Sequence, residues 1–432
     1  RHHQKFFAVQ DGRGRLVAHF VGVKNGISEH LETVREGYER VLAARLADAA
    51  FYWTQDGKLP LAQQAQKLSA VVFQEGLGTL ADKAVRVDHL ARSIAAALGP
   101  DALSDPGLVR RIARLAKADL VTEMVKEFPE LQGVMGRLYA ARDGEPEAVG
   151  RGIEDHYRPV GADGALPETA EGAVVALADR LDTLAAGFVA GRAPTGSEDP
   201  WALRRAAMGA LRICLERAWK VDLRALLSEA IEPLQKLVPA SDATLAWNDL
   251  LVFLQGRLET ILEGRGIRYD EAAAALAASA PVAGAWPLDA FRRAEAVHAL
   301  RTLPDFEPVT TAYKRAVNII VQADQKGLWS PALAQASSDL STAEPAEKAL
   351  GEALLAAQEA VEPLVKVQDY PAALRRLGAL RRPVDEFFEE VMVMVDDKDI
   401  RNRRLLLLSQ LRGLFSTIAD FSKIVIDTPP AK

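Results

Sequence analysis

Thiols are nearly missing from this 432-residue chain: Cys214 is its one cysteine. No disulfide can form within the chain, which suits a reducing compartment such as the cytosol. Histidine is scarce, with seven copies, and aromatics make up 6%. A large charge of either sign is also missing. The net charge of -6 does not draw a polyanion to the molecule as a whole, so nucleic acid would have to meet a local basic face. No apolar run approaches the length that spans a bilayer. The opening stretch, RHHQKFFAVQDGRGRLVAHF, has neither an initiator Met nor a signal-peptide core. It reads as a strand, a turn over Asp11–Arg15 and a second strand. A lone hairpin is marginal in water, so the chain is expected to begin inside a larger protein.

What is present is helical patterning. Hydrophobic residues at 49% and charged residues at 26% describe an ordinary globular chain of two or three domains. After the hairpin, amphipathic runs follow one another. They include EHLETVREGYERVLAARLADAAFYW, PLAQQAQKLSAVVFQ, DKAVRVDHLARSIAAALG, LVRRIARLAKADLVTEMVKEF and GAVVALADRLDTLAAGF. After a break around Pro233–Asp242 come WNDLLVFLQGRLETILEGRG and further helices to DIRNRRLLLLSQLRGLFSTIADF. The expected class is mainly α. The expected division is a β-containing tail at 1–40, a helical domain at 41–235 and a second helical unit at 236–432. No fixed-period repeat is evident.

The stretch PTGSEDPWALRRAAMG, from Pro194 to Gly209, reads as a helix start. Asp199 is a good N-cap and Pro200 fits the first helical position. Leu203, Ala207, Ala210, Leu211 and Cys214 then share one stripe. A phosphate loop would need a lysine or a denser glycine run. Arg204 and Arg205 in this stretch remain open in role, the usual outcome for such a pair being a solvated surface.

Three groups of residues could carry chemistry. His89, the pair Ala118-Asp119, and Asp179 follow the order of the HD phosphohydrolase pattern, in which a His, a His-Asp pair and a distant Asp hold a catalytic metal. Here Ala118 stands where the second histidine is needed, so the pattern is degenerate and no metal is expected. Cys214 or Ser197 could act as a nucleophile, but no histidine has a signature pairing it with either. Basic clusters lie in the C-terminal part. Arg375 and Arg382 are seven apart, Arg401 and Arg404 three apart, and Lys314 adjoins Arg315. Each arginine pair is expected to share an exposed helix face, where arginine forks suit phosphate oxygens.

Several segments together resemble one family, the β subunit of the bacterial type of glycyl-tRNA synthetase. KADLVTEMVKEFPELQG and PTGSEDPWALRRAA are long and specific; HQKFFAVQD, FEPVTTAYKRAVNI and IRNRRLLLLSQLRGLFSTIADFSK also match, in family order over essentially the whole chain. Mild departures are Tyr38, Trp201 and Glu389, where the family usually has asparagine, phenylalanine and aspartate. The resemblance implies an HD-like helical domain followed by a helical anticodon-binding domain similar to that of arginyl-tRNA synthetase. It implies a tRNA-recognition subunit of glycine–tRNA ligase, with the α subunit and glycine tRNA as partners. The α subunit, separate or fused, would hold the active site and use ATP and Mg. This chain would bind no cofactor, DNA or membrane, and would work in the cytoplasm. The rival expectation is an active HD-type phosphohydrolase acting on nucleotides.

Overall fold

The computed structural model describes residues 6–426 apart from 27–28, 162, 197, 239–241, 280–282, 303, 305 and 331–342. Phe6–Gln10 (β1) and Leu16–Gly22 (β2) form an antiparallel hairpin in which Phe6 pairs with Gly22. Asp11 builds its turn: the carboxylate accepts from the N–H groups of Arg13 and Arg15, and Gly14 adopts φ +77°. Helices follow at Leu31–Asp56 (α1), Leu80–Leu98 (α2), Pro106–Leu115 (α3), Val134–Arg142 (α4), Glu147–Asp155 (α5), Ala170–Val189 (α6), Leu203–Glu216 (α7) and Leu223–Leu237 (α8). They continue at Ala243–Gly264 (α9), Tyr269–Ala278 (α10), Pro287–Arg301 (α11), Phe306–Gln325 (α12), Pro345–Lys366 (α13), Tyr370–Gly378 (α14), Arg381–Glu390 (α15) and Lys398–Ser416 (α16). The mainly α expectation holds.

The centre of the first half is α6. Its sequence is apolar and small around the whole circumference, and a helix of that kind is buried on every side. From Glu171 to Val189 only Asp179 and Thr183 escape full burial. Helices α2, α3, α5, α7, α8 and α9 surround it. Close approach depends on Gly187, where an added Cβ would lie 2.5 Å from a methyl carbon of Leu203.

Packing does not divide at 236. Leu250, Leu254, Leu258 and Leu262 of α9 belong to the first core, which runs from Leu61 to Ala294. The second core runs from Ala274 to Ile424. Helix α10 lies at their junction. The Asp420 N–H donates to the Ala274 carbonyl, and the Asp270 carboxylate accepts from the Val425 N–H at 2.7 Å.

Three helical expectations need correction. The run from Leu108 to Phe128 is not one helix: α3 ends at Leu115, a tight turn covers Ala118–Val121, and Thr122 caps a separate helix at Glu123–Glu127. PLAQQAQKLSAVVFQ keeps only a short helix and a tight-turn segment up to Ala70. Arg375 and Arg382 do not share a helix, because the chain breaks at Ala379–Leu380 between α14 and α15. Pro383 falls in the first turn of α15, where a missing N–H costs nothing.

In the second core α12 packs on α16, and α13 packs on α14, α15 and α16. The carboxylate of Glu347, on α13, is fully buried. It accepts from Arg403 at 2.8 Å and from Arg404, both on α16. Removing one partner of a buried pair leaves an uncompensated charge. Glu347→Ala should therefore destabilise the second core by about 3–5 kcal/mol. Urea unfolding followed by circular dichroism checks this, and a loss below about 1 kcal/mol would contradict it.

Candidate functional site

The structure separates the residues of the HD-like pattern. His89 is exposed on α2, and its Nε2 lies 3.9 Å from Glu229. Ala118 and Asp119 are fully buried. Asp119 is satisfied by its own neighbours: one oxygen accepts from the Gly133 N–H at 2.5 Å and the other from the Tyr157 hydroxyl at 3.1 Å. Burial raises its carboxyl above the usual range. His89 therefore cannot be the partner that the pattern assigned to it.

Ammonium groups stand at Asp179 instead. Lys117 Nζ is 2.9 Å from one carboxylate oxygen and Lys83 Nζ is 3.1 Å from the other. Lys83 also reaches Asp182 at 2.9 Å, and Arg86 pairs with Asp182 at 2.6 Å. Burial alone would raise Asp179, but Lys117 and Lys83 outweigh it and hold the carboxyl well below its usual range. Burial lowers Lys117. For Lys83 the nearby Asp179 and Asp182 overcome burial and raise it. A metal would have to displace two covalently tethered cations, so these side chains do not fit a catalytic metal. Among the described residues no group of three or more His, Cys, Asp or Glu side chains could hold one.

None of Lys83, Arg86, Lys117 and Asp182 was singled out from sequence. The available signal was their setting: Asp179 and Asp182 interrupt an apolar helix, and Lys83 and Arg86 adjoin the apolar stripe Val87, Leu90, Ala91, Ile94. Charges at such positions need partners.

The nucleophile candidates carry no chemistry here. Cys214 is fully buried, and burial pushes its thiol up to about 12, so the reactive thiolate is suppressed. Ser197 lies outside the described residues.

The helix at Arg204 begins later than expected. Leu203 is its first residue and Ala202, at φ +56°, precedes it. Pro200 is thus in a turn before the helix. Asp199 still caps: its carboxylate accepts from the N–H groups of Leu203 and Arg204 at 2.8 and 2.9 Å. The stripe Leu203, Ala207, Ala210, Leu211, Cys214 is fully buried. Arg204 folds back onto the Gly196 and Glu198 carbonyls, whereas Arg205 is exposed.

The C-terminal cations divide into buried and displayed groups. Arg401 and Arg404 are not on an exposed face: they are 8% and 5% exposed. Arg401 donates to the Val395 and Asp396 carbonyls, and Arg404 to the Met392 carbonyl, Glu344 and Glu347. The two arginines clamp the α15–α16 loop. Lys314 is half-buried and donates to the Ile424 carbonyl. Arg315, Arg375 and Arg382 are exposed, with Arg382 paired to Glu386 at 2.7 Å.

A buried histidine beside the lysines gives a pH test. His156 is fully buried, donates from Nδ1 to the Ile153 carbonyl, and has no partner at Nε2 among the described residues. Burial, then the Lys117 charge, lowers it well below 6.5. Its folded pKa is depressed, so the unfolded chain takes the proton first. The contribution is complete above 6.5 and is lost as pH falls toward the folded value. Unfolding free energy should drop by up to about 1.4 kcal/mol per pH unit below that point. His156→Gln should flatten this slope in pH-dependent urea melts, and an unchanged slope would exclude His156 as its source.

Comparison with known proteins now bears on these two cores. A family model described as "Glycyl-tRNA synthetase beta subunit" matches residues 1–277, and one described as "DALR anticodon binding domain" matches residues 309–424. The glycine–tRNA ligase beta subunit of Moorella thermoacetica is 44% identical over 427 residues, covering 98% of this chain and 60% of that protein. That of Acinetobacter baylyi is 42% identical over 420 residues, covering 97% and 58%. That of Syntrophus aciditrophicus is 41% identical over 428 residues, covering 99% and 59%. The chain thus spans about 60% of the length of these relatives. With a family model matching well over half of its residues, the chain belongs to the glycyl-tRNA synthetase beta subunit family.

Proposed function

We propose that this chain recognises glycine tRNA for a glycine–tRNA ligase whose catalytic site lies in a partner α subunit. The observation that carries this reading is the second core, α12 to α16, which coincides with the anticodon-binding match and displays Arg315, Arg375 and Arg382 on neighbouring helices. Phosphate contacts from such side chains set register, and base contacts in the anticodon loop give identity. Arg205 on α7 is a further candidate from the first core. Glycine, ATP and Mg are handled by the α subunit in this reading, and this chain binds no cofactor, DNA or membrane. No helix among the described residues is long and apolar enough to cross a membrane. The cytoplasm is the expected site of action. Nothing favours the phosphohydrolase reading, because Lys83 and Lys117 already neutralise Asp179.

The interface moves from the clamp arginines to the displayed ones. Arg375→Glu with Arg382→Glu should weaken glycine-tRNA binding. It should reduce the slope of log affinity against log salt by about 0.7–0.9 for each phosphate that the variant no longer neutralises. Both side chains are exposed, so the melting temperature should stay close to wild type. Filter binding across a salt series measures this, and an unchanged slope would take both residues off the RNA surface. The chain alone should show no glycine-dependent pyrophosphate exchange, and aminoacylation should require added α subunit. Exchange that persists through further purification would refute the division of labour.

A further inference from the structure

The chain's sulfur lies in one cysteine and five methionines, and the fold encloses most of it. Cys214 is fully buried, Met124 and Met135 are 6% and 5% exposed, and Met208 is half-buried against the first core. Met392 and Met394 differ: they are 74% and 36% exposed, and both lie on the α15–α16 loop. Burial alternates along that loop, because Val391 and Val393 belong to the second core. The backbone is pinned from behind. Arg404 donates to the Met392 carbonyl at 2.8 Å, and Arg401 to the Val395 and Asp396 carbonyls at 2.9 and 3.3 Å. Arg404 is itself held by Glu344 and Glu347. With the valines anchored and the carbonyls engaged, the loop cannot turn over to withdraw its thioethers.

A methionine held out of the core forgoes the burial its side chain would gain there. What it keeps is a nucleophilic sulfur open to oxidants in the solvent. Asp396, Asp397 and Asp399 follow directly and are exposed. Their charge disfavours an anionic oxidant and leaves a neutral peroxide unopposed. We infer that Met392 and Met394 form a reversible oxidation site whose reactant is hydrogen peroxide. The sulfur attacks one peroxide oxygen, and the O–O bond breaks as the S–O bond forms. The displaced hydroxide takes the proton of the transferred oxygen and leaves as water. The thioether is thus oxidised by two electrons to a sulfoxide, and the peroxide is reduced. Methionine sulfoxide reductases reverse the step: two thiols return the two electrons, the oxygen leaves as water, and a disulfide remains on the reductase. At Met124 or Met135 a polar sulfoxide would disrupt the core that the side chain fills. At Met392 and Met394 the new oxygen faces water, so the fold survives and the reduced state can be regained. This chemistry does not depend on the tRNA-binding reading.

The test treats the whole folded chain with a graded series of hydrogen peroxide and reads each methionine by peptide mass mapping. Met392 should gain its oxygen first and Met394 second. Met208 should follow, and Met124 and Met135 should lag Met392 by about tenfold, in proportion to their exposure. The same dose given in urea should erase this ranking, because all five thioethers then meet solvent. Chain carrying both sulfoxides should keep its circular dichroism and melting temperature. Incubation with the two reductases, one for each sulfoxide epimer, should return the original mass. The double variant Met392→Leu, Met394→Leu nearly conserves side-chain volume and should fold as wild type, yet lose the early gain of two oxygens. The wild-type ranking decides the question even without that variant. A folded chain in which Met208, Met124 or Met135 reacts as fast as Met392 would overturn the site. So would a doubly oxidised chain that unfolds, sulfoxides that the reductases do not remove, or a double variant that takes up oxygen at the wild-type rate.

Discussion

The first half of the molecule depends on how two carboxylates are carried inside an apolar helix. Asp179 and Asp182 sit one turn apart on α6, among alanines, valines and leucines that are buried all round. An unpaired carboxylate in that setting would be protonated or would prevent burial. Lys83 and Arg86 from α2, and Lys117 from the break after α3, supply the compensating charge. Because those partners have fixed reach, they also dictate where α2 and the 116–121 turn meet α6. A shift of α2 by one residue would point Lys83 and Arg86 away from Asp182. Asp179, the last residue of the degenerate HD-like pattern, is thereby neutralised by ammonium groups. Where a metalloenzyme would hold an exchangeable ion, this chain holds ammonium groups that are part of its own core.

The second half repeats the device with arginine. Glu347 is buried between Arg403 and Arg404, and Asp270 and Glu271 are buried against Arg301 and Arg268, with His298 on Glu271. Arginine suits these positions because its fork serves several oxygens at once. Arg404 bridges two glutamates and a loop carbonyl. The count of arginines in a helix is therefore a poor guide to a nucleic-acid surface in this chain. Lys83, Arg86, Lys117, Arg180, Arg401, Arg403 and Arg404 are all consumed internally.

Much of the helical layout was legible in the sequence because periodicity reports it directly. The stripe from Leu203 to Cys214 emerged as expected, whereas α6, read as one more helical run, proved to be buried around nearly its whole circumference. The break at Lys117 was not legible, since it carries no proline or glycine; the break after Gly378 was expected at Pro383, four residues too late, because Pro383 is tolerated in the first turn of α15. The misreading of Arg401 and Arg404 has a specific cause. Leu405 to Leu408 are four consecutive leucines, which place apolar groups on all sides of α16. Most of that stretch is buried, and Arg401, Arg403 and Arg404 lie on the buried side with it, while the exposed side of α16 carries Gln410 and Arg412. Asp199 was read correctly as a cap but one turn too near, since Pro200 and Trp201 continue the turn rather than the helix.

The two halves are joined through α10, which belongs to both cores. Its Asp270 and Glu271 bind Arg301 of α11, Asp270 also accepts from the Val425 N–H, and its Ala274 carbonyl accepts from the Asp420 N–H of the chain's last described turn. Separating α10 from α11 would leave two buried carboxylates without Arg301, and breaking a buried pair costs about 3–5 kcal/mol, so these charges hold the two helices that both cores share against each other.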